Sequence, residues 1–391
     1  MANRWLSEAC DQYPDPESGA AITRFTTAVT NQCNIYCEQP YTTPDGKRIA
    51  IVRSANADPR VPPFDLWVAD VQTLKIALIE RNIASHFVGT AAWTGMIHYL
   101  SAEGELICAD LATGERRVVL DEWELPEHFA FQSVSPDQRY MVGCECSAEF
   151  RTRIICLDMQ TGEAQTVFEH GDILGHLQFN PVHGRDVLVQ HNRDMRINDR
   201  GEVRYAEHYE LSTTHFFIDI DGGNVRSLPV GPPHTATTTG HSNWVADTGR
   251  MAVNVHWQSG QSNVASPLDG RYPDGNLIIA APGDARPTVF AAPEHRFNHL
   301  NVSRCGQYFV ADSYPAGLPG AVPLVVGNLR TGKYRALVSD CRATGGGAAP
   351  SHPHAYLTAD NRNVIYNADP YHVPHVYAAR VSDEFLGSLE A

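Results

Sequence analysis

The chain has 391 residues, 43% hydrophobic and 19% charged, the balance of a globular protein rather than a disordered one. Lys plus Arg number 30 against 45 Asp plus Glu, a formal charge of −15, which argues against nucleic acid as a partner because phosphate neutralisation needs a basic face. No apolar run reaches the ~18 residues of a membrane span, so no membrane partner is expected. Met1 to Cys10, MANRWLSEAC, lacks the apolar core of a secretory signal. The nine scattered cysteines are an odd set, and the expectation is reduced thiols in a cytoplasm. Cys33 with Cys37, and Cys144 with Cys146, are expected to be buried structural thiols rather than a metal centre.

Long helical patterns are nearly absent, and short β-rich runs punctuated by Gly, Pro, Asp and Asn dominate. One motif recurs in chain order: an apolar pair, a tight turn, then an alternating strand. Its turns are Thr43-Pro44-Asp45-Gly46, Trp93-Thr94-Gly95, Ser135-Pro136-Asp137-Gln138 and Asn180-Pro181 through Gly184. Ala246-Asp247-Thr248-Gly249, Ser303-Arg304-Cys305-Gly306 and Thr358-Ala359-Asp360-Asn361 complete the series. Between them falls a second hairpin signal, at Thr113-Gly114, Thr161-Gly162, Asp221-Gly222 and Thr331-Gly332. Two hairpins make four antiparallel strands, and seven such repeats predict an all-β, seven-bladed β-propeller. The ring is expected to be one domain over 1–391, closed by an N-terminal strand at about 21–26 that joins the last blade beside Val376 to Arg380. Wide spacings mark two long insertions, Asp194 to Ser212 and Gln258 to Asn276.

In a propeller the residues just before the repeated turn sit near the mouth of the central channel. Histidine occupies that place in several repeats. His241 lies eight residues before Gly249, His299 lies seven before Gly306, and His352 and His354 bracket the matching place before Asn361. Ring symmetry is expected to bring them together, and converging imidazoles suit a borderline divalent metal such as Mn²⁺, Fe²⁺ or Zn²⁺. The His-x-His step is expected to put two imidazoles on one side of an extended strand. The bland alternative is a set of polar, water-bound channel residues. His176, in Leu174-Gly175-His176, takes the analogous spot in the fourth repeat, and His191-Asn192-Arg193 follows one strand later. Arg193 has the geometry to clamp a carboxylate with two hydrogen bonds. Arg196 and Arg200 make this the one basic spot in an acidic chain.

These residues resemble those of the oligogalacturonate lyases, seven-bladed propeller polysaccharide lyases that use Mn²⁺. The resemblance runs over nearly the whole chain, from Asp15 to Thr26 (DPESGAAITRFT) and Thr43-Pro44-Asp45-Gly46-Lys47 through Leu174-Gly175-His176 and Asp221-Gly222-Gly223-Asn224-Val225-Arg226. It is strongest at Gly240-His241-Ser242-Asn243-Trp244, His299-Leu300-Asn301 and His352-Pro353-His354. It implies that His299, His352 and His354 are metal ligands and that His241 is the catalytic acid/base. His191 and Arg193 join His241 as expected catalytic residues, and Asn192, His176 and Trp244 are the expected substrate contacts. Two positions depart from the family. The Gln ligand expected three residues before the His-Pro-His pair is Ala349, and the catalytic Arg expected before the Asp221-Gly222 turn aligns near Thr214, with His215 beside it.

The implied chemistry is β-elimination at a 4-linked uronic acid in a small anionic oligosaccharide. The C5 proton lies α to a carboxylate, and the charge that develops there is met by a divalent metal and an arginine. Two other readings compete. A binding propeller without chemistry predicts no tightly bound metal. A metal-dependent hydrolase predicts acidic ligands at the channel mouth, where this sequence has histidine.

Overall fold

Each repeat folds around the turn that marks it. A left-handed residue closes each one: Gly46, Gly95, Gln138, Gly184, Gly249, Gly306 and Asn361 have φ between 57° and 75°. A side-chain relay fixes three of them. Thr43, Ser135 and Thr358 each donate a hydroxyl hydrogen bond of 2.6 Å to Asp45, Asp137 and Asp360. Each carboxylate then accepts a backbone N–H two residues on. In the sixth repeat Cys305 takes the carboxylate's place, 3.3 Å from the Ser303 hydroxyl. Burial raises its pKa, but hydrogen bonds from Ser303, the Gln307 amide and Asn361 outweigh that, and the net direction is down.

The structure, a computed structural model, describes residues 4–8, 11–56, 61–85, 88–121, 129–147, 151–193, 195–198, 200, 202–205, 213–231, 233–235, 238–255, 277–314, 320–343 and 351–390. The expected insertion from Gln258 to Asn276 lies outside the described residues. Of the Asp194 to Ser212 insertion, the described part includes the two-stranded hairpin Met195–Ile197 with Val203–Tyr205. The chain is all-β, small antiparallel sheets of the β-propeller kind, with one helix, Asp383–Glu390, among the described residues. No described helix is long and apolar enough to cross a membrane. None of the described cysteines forms a disulfide.

Two compact units divide the chain, residues 1–123 with 299–391, and residues 124–298. The first unit holds the four-stranded sheet of Asn31–Cys33, Arg48–Ser54, Phe64–Asp70 and Lys75–Ile83, and that of Gly89–Thr90, Met96–Leu100, Leu106–Asp110 and Arg116–Leu120. The strand Phe297–Val302 leads into a third, with Tyr308–Ser313, Leu324–Asn328 and Tyr334–Val338. The last sheet joins both ends of the chain. Ala21–Arg24 pairs antiparallel with His375–Arg380, Ile22 opposite Ala379. Gln12–Pro14 adds a fifth strand beyond it, at the outer edge of the sheet. Strands here are buried on both faces, so they read as apolar runs rather than alternations. Ala50 and Val52 enter one core with Leu66 and Val68, while Ile49 and Ile51 enter another with Trp67 and Ala69.

The second unit holds the sheet Phe129–Val134, Tyr140–Ser147, Arg151–Asp158 and Ala164–His170. Its other large sheet departs from the expected separate four-stranded blades. Ile173–Phe179, Asp186–Asn192 and Thr213–Asp219 continue into Thr238–Trp244, Met251–Val255, Leu277–Ala280 and Thr288–Phe290, an eight-stranded sheet when Arg226–Ser227 is included. The cause is local. Thr213 pairs with Thr238, whose hydroxyl also donates to the Thr213 carbonyl at 2.9 Å, and this stitches two repeats edge to edge.

Three buried histidines tie stability to pH. Burial is the first cause in each, pushing His98 and His215 down to about 3 and His375 down to about 4. The unfolded chain binds these protons near pH 6.5 and the folded chain does not, so stability rises with pH across that window. Thermal midpoints are expected to fall steadily from pH 7 to pH 5, and His98→Phe is expected to flatten that slope by about one proton, read from melts at constant ionic strength. Cys305→Asp, which restores the carboxylate of the sister turns, is expected to raise unfolding stability by about 0.5–1.5 kcal/mol in urea titrations.

Candidate active site

The first unit gathers three imidazoles. Ligand atoms of His299, His352 and His354 lie within 4.8 Å of one another. Their ring centroids are 4.5 Å apart for His299 and His354, 5.1 Å for His299 and His352, and 5.6 Å for His352 and His354. His299 sits on Phe297–Val302 and is 2% exposed. Its orientation comes from Asp312, which is fully buried on the neighbouring strand Tyr308–Ser313. One Asp312 oxygen accepts the His299 backbone N–H and the other accepts Nδ1–H, both at 2.6 Å. A carboxylate only accepts, so the proton is on Nδ1 and the lone pair is on Nε2.

His352 and His354 reach the same place by another route. They precede the strand Tyr356–Leu357 rather than lying on an extended strand, and His354 takes a left-handed conformation at φ 42°. The two rings meet at 77° because the chain turns between them. Two asparagines hold that turn. Asn367 donates its side-chain amide to the His352 carbonyl at 3.1 Å and its backbone N–H to the Pro353 carbonyl at 2.8 Å. Asn34 donates its side-chain amide to the His354 carbonyl at 2.8 Å, and its backbone N–H binds Asn367. Tyr36 packs edge-on against His354 with ring centroids 4.6 Å apart. Ala349, where the resemblance expects a Gln ligand, lies outside the described residues.

The second unit gathers the other histidines on its eight-stranded sheet. The first strand of each joined repeat slips register at a Gly-His pair: Ile173–Phe179 between Gly175 and Gln178, and Thr238–Trp244 between Thr238 and Ser242. Such bulges re-aim side chains. His176 is left-handed at φ 50°, and its ring lies 5.9 Å from that of His241. His241 Nδ1–H donates to the Asn298 carbonyl at 2.8 Å, which puts the ring's lone pair on Nε2. Asn298 is the residue before His299 in the chain.

His191 pairs with a residue the sequence reading missed. Its Nε2–H donates to Asp172 at 3.0 Å. Burial first, then His170 and Arg193, lower its pKa against the opposing pull of Asp172, so the ring favours the neutral form. His170, Asp172 and His191 also converge within 4.8 Å, but hydrogen bonding argues against a cation there. The His170 Nδ1 lone pair accepts the Asp172 backbone N–H at 2.9 Å, and the Arg196 guanidinium lies 3.4 Å from Asp172. This is an orienting carboxylate with its histidine, not a second ligand set. Asn192, half-buried beside it, accepts from Gln190 and donates to the Ile173 carbonyl. Arg193 is half-buried in the turn that follows.

Trp244 does not serve as a substrate contact. It is 2% exposed, stacks on Phe217 at 4.4 Å and donates its indole N–H to the Gln178 carbonyl at 3.0 Å. Its place in the strand points it into the core. Thr214, where the resemblance expects arginine, donates its hydroxyl to the Val230 carbonyl at 2.9 Å, and His215 beside it is buried.

No protein-family model matches the chain, and no curated protein matches it. Solved structures do. An oligogalacturonate lyase in complex with manganese aligns with a TM-score of 0.72 at 18% identity, covering 99% of this chain and 100% of the other. An oligogalacturonate lyase from Vibrio parahaemolyticus aligns with a TM-score of 0.71 at 19% identity, covering 98% of this chain and 100% of the other. The fold is that of the oligogalacturonate lyases. At such identity the likeness is one of fold, and the chemistry of this chain has to be argued from its own residues.

The donor set of the first unit fits a borderline divalent cation: three imidazoles, one fixed in tautomer by a buried carboxylate. His352→Ala is expected to abolish stoichiometric metal, and Asp312→Asn to weaken Mn²⁺ binding by about 10–100-fold. Plasma mass spectrometry and titration calorimetry on protein purified without a metal-affinity step check both.

Proposed function

We propose that this chain is a lyase that cleaves a 4-linked uronic acid in a small anionic oligosaccharide by β-elimination, leaving an unsaturated uronate. In this reading the propeller has seven blades, the eight-stranded sheet counting as two, and the substrate is met in the cytoplasm. The observation that carries it is the convergence of His299, His352 and His354 on a fold shared with oligogalacturonate lyases, one of them a manganese complex. Those three residues would hold one divalent cation, Mn²⁺. When bound, it supplies electrostatic stabilisation to a substrate carboxylate.

The remaining work falls to the chain's own groups. His241 Nε2 takes the C5 proton, its ring oriented by the Nδ1–H bond to Asn298. The C5–H electron pair forms the C4–C5 double bond as the C4–O4 bond breaks. Water returns a proton to the departing O4, positioned by the Nδ1 lone pair of His191, whose Nε2–H is held by Asp172. Arg193 clamps the uronate carboxylate in place of the family arginine lost near Thr214. Asn192 and His176 line the sugar.

The test is ultraviolet absorbance of the unsaturated product on oligomers of galacturonate, glucuronate and other uronates. His241→Ala is expected to lower turnover by about 10²–10⁴-fold with metal content unchanged. His352→Ala is expected to remove both. Turnover that survives complete loss of metal overturns the metal's role. Hydrolysis without the new absorbance, or no cleavage of any uronate oligomer by the metal-loaded protein, overturns the lyase reading.

A further inference from the structure

His215 is an expensive residue for its position. It lies within the strand Thr213–Asp219, is 1% exposed, and its Nδ1 meets no partner among the described residues. A buried polar group left unsatisfied carries a desolvation cost that an apolar side chain of the same size would avoid. Burial, reinforced by His176 and His191, pushes its pKa down to about 3 against the opposing pull of the Gly240 carbonyl, so the ring is neutral and does not trade protons near neutral pH. Among the described residues its hydrogen bond runs from Nε2–H to the Gly240 carbonyl, 3.2 Å away.

That carbonyl belongs to the bulge that carries His241. Gly240 has φ 96°, and the register slip between Thr238 and Ser242 takes it out of the regular ladder. A backbone oxygen displaced in this way needs a donor from elsewhere. On the other side the Gln190 amide closes in, so a Cβ at position 240 would meet it at 2.8–2.9 Å. Gln190 is in turn the cross-strand partner of His215. The bulge is thus gripped by two neighbouring residues of adjacent strands.

We infer that His215 is a positioning residue: by holding the Gly240 carbonyl it fixes the bulge that delivers the His241 ring to the Asn298 carbonyl. It rests on the reading of His241 as the base, yet its geometry is testable without turnover. His215 does not touch the substrate in this account. Its fixed donor sets which His241 nitrogen carries the proton.

The test uses the full-length protein with ¹⁵N-labelled histidine. Long-range ¹H–¹⁵N spectra are expected to show the His241 proton on Nδ1. In His215→Phe, which removes the donor, that tautomer is expected to lose its predominance. In His215→Gln, whose amide lies near the position of Nε2, it is expected to persist. Where the wild type turns over a uronate oligomer, His215→Phe is expected to lower kcat by about 10–100-fold with KM and metal content unchanged, and His215→Gln to recover most of it. If His215→Phe does not fold, His215→Asn, whose shorter amide falls short of the carbonyl, is expected to show the same tautomer loss. An unchanged Nδ1–H tautomer in the donor-less variant overturns the inference. A tautomer change in a protein that cleaves no uronate upholds it and overturns the lyase reading instead.

Discussion

A carboxylate sealed from water must be met by donors, and Asp312 meets two of them from a single residue. Its oxygens take the backbone N–H and the ring N–H of His299. An unpaired charge there would be among the costliest features a core can hold. The rotamer of His299 and the tautomer of its ring are therefore fixed by one buried carboxylate. The loop bearing His352 and His354 is brought to that fixed ring by Asn34 and Asn367, which bind backbone carbonyls rather than the imidazoles. The scaffold thus holds the chain behind the rings.

The second unit solves the same problem with bulges. Gly175-His176 and Gly240-His241 sit at matching register slips of two joined repeats. A regular strand would alternate these side chains strictly between faces. The slip frees one residue from that alternation. The two units thus use different devices, a buried ion in one and a broken ladder in the other, to the same end of presenting an imidazole with one nitrogen already spoken for.

Much of this was legible in the sequence. The repeated turns announced themselves through Asp-Gly and Thr-Gly pairs because left-handed backbone restricts residue choice, and the clustering of His299, His352 and His354 followed from their matched offsets. What failed had physical causes. Blade separation was lost at Thr213 and Thr238, where a single side-chain hydroxyl reinforces an edge pairing that no periodicity encodes. The His-Pro-His segment was read as extended because the left-handed turn at His354 is imposed by carbonyl partners distant in sequence. Trp244 was read as a contact because a motif does not say which way its residues point. Asp312 did leave a signal: an acid within a strand buried along its whole length demands a partner. Asp172 left none, since an acidic residue between two strands is ordinary turn composition.

The stitched sheet of the second unit has a dynamic consequence. Leu188 and Phe217 of one repeat share a core with Trp244, Met251 and Val253 of the next, and Gln178 of the first binds Ser242, Asn243 and Trp244 of the second. Opening either repeat exposes the apolar surface of both. In amide hydrogen exchange the two repeats would therefore lose protection together, one cooperative block carrying His176, His191, His215 and His241, so that none of these four rings loosens without the others.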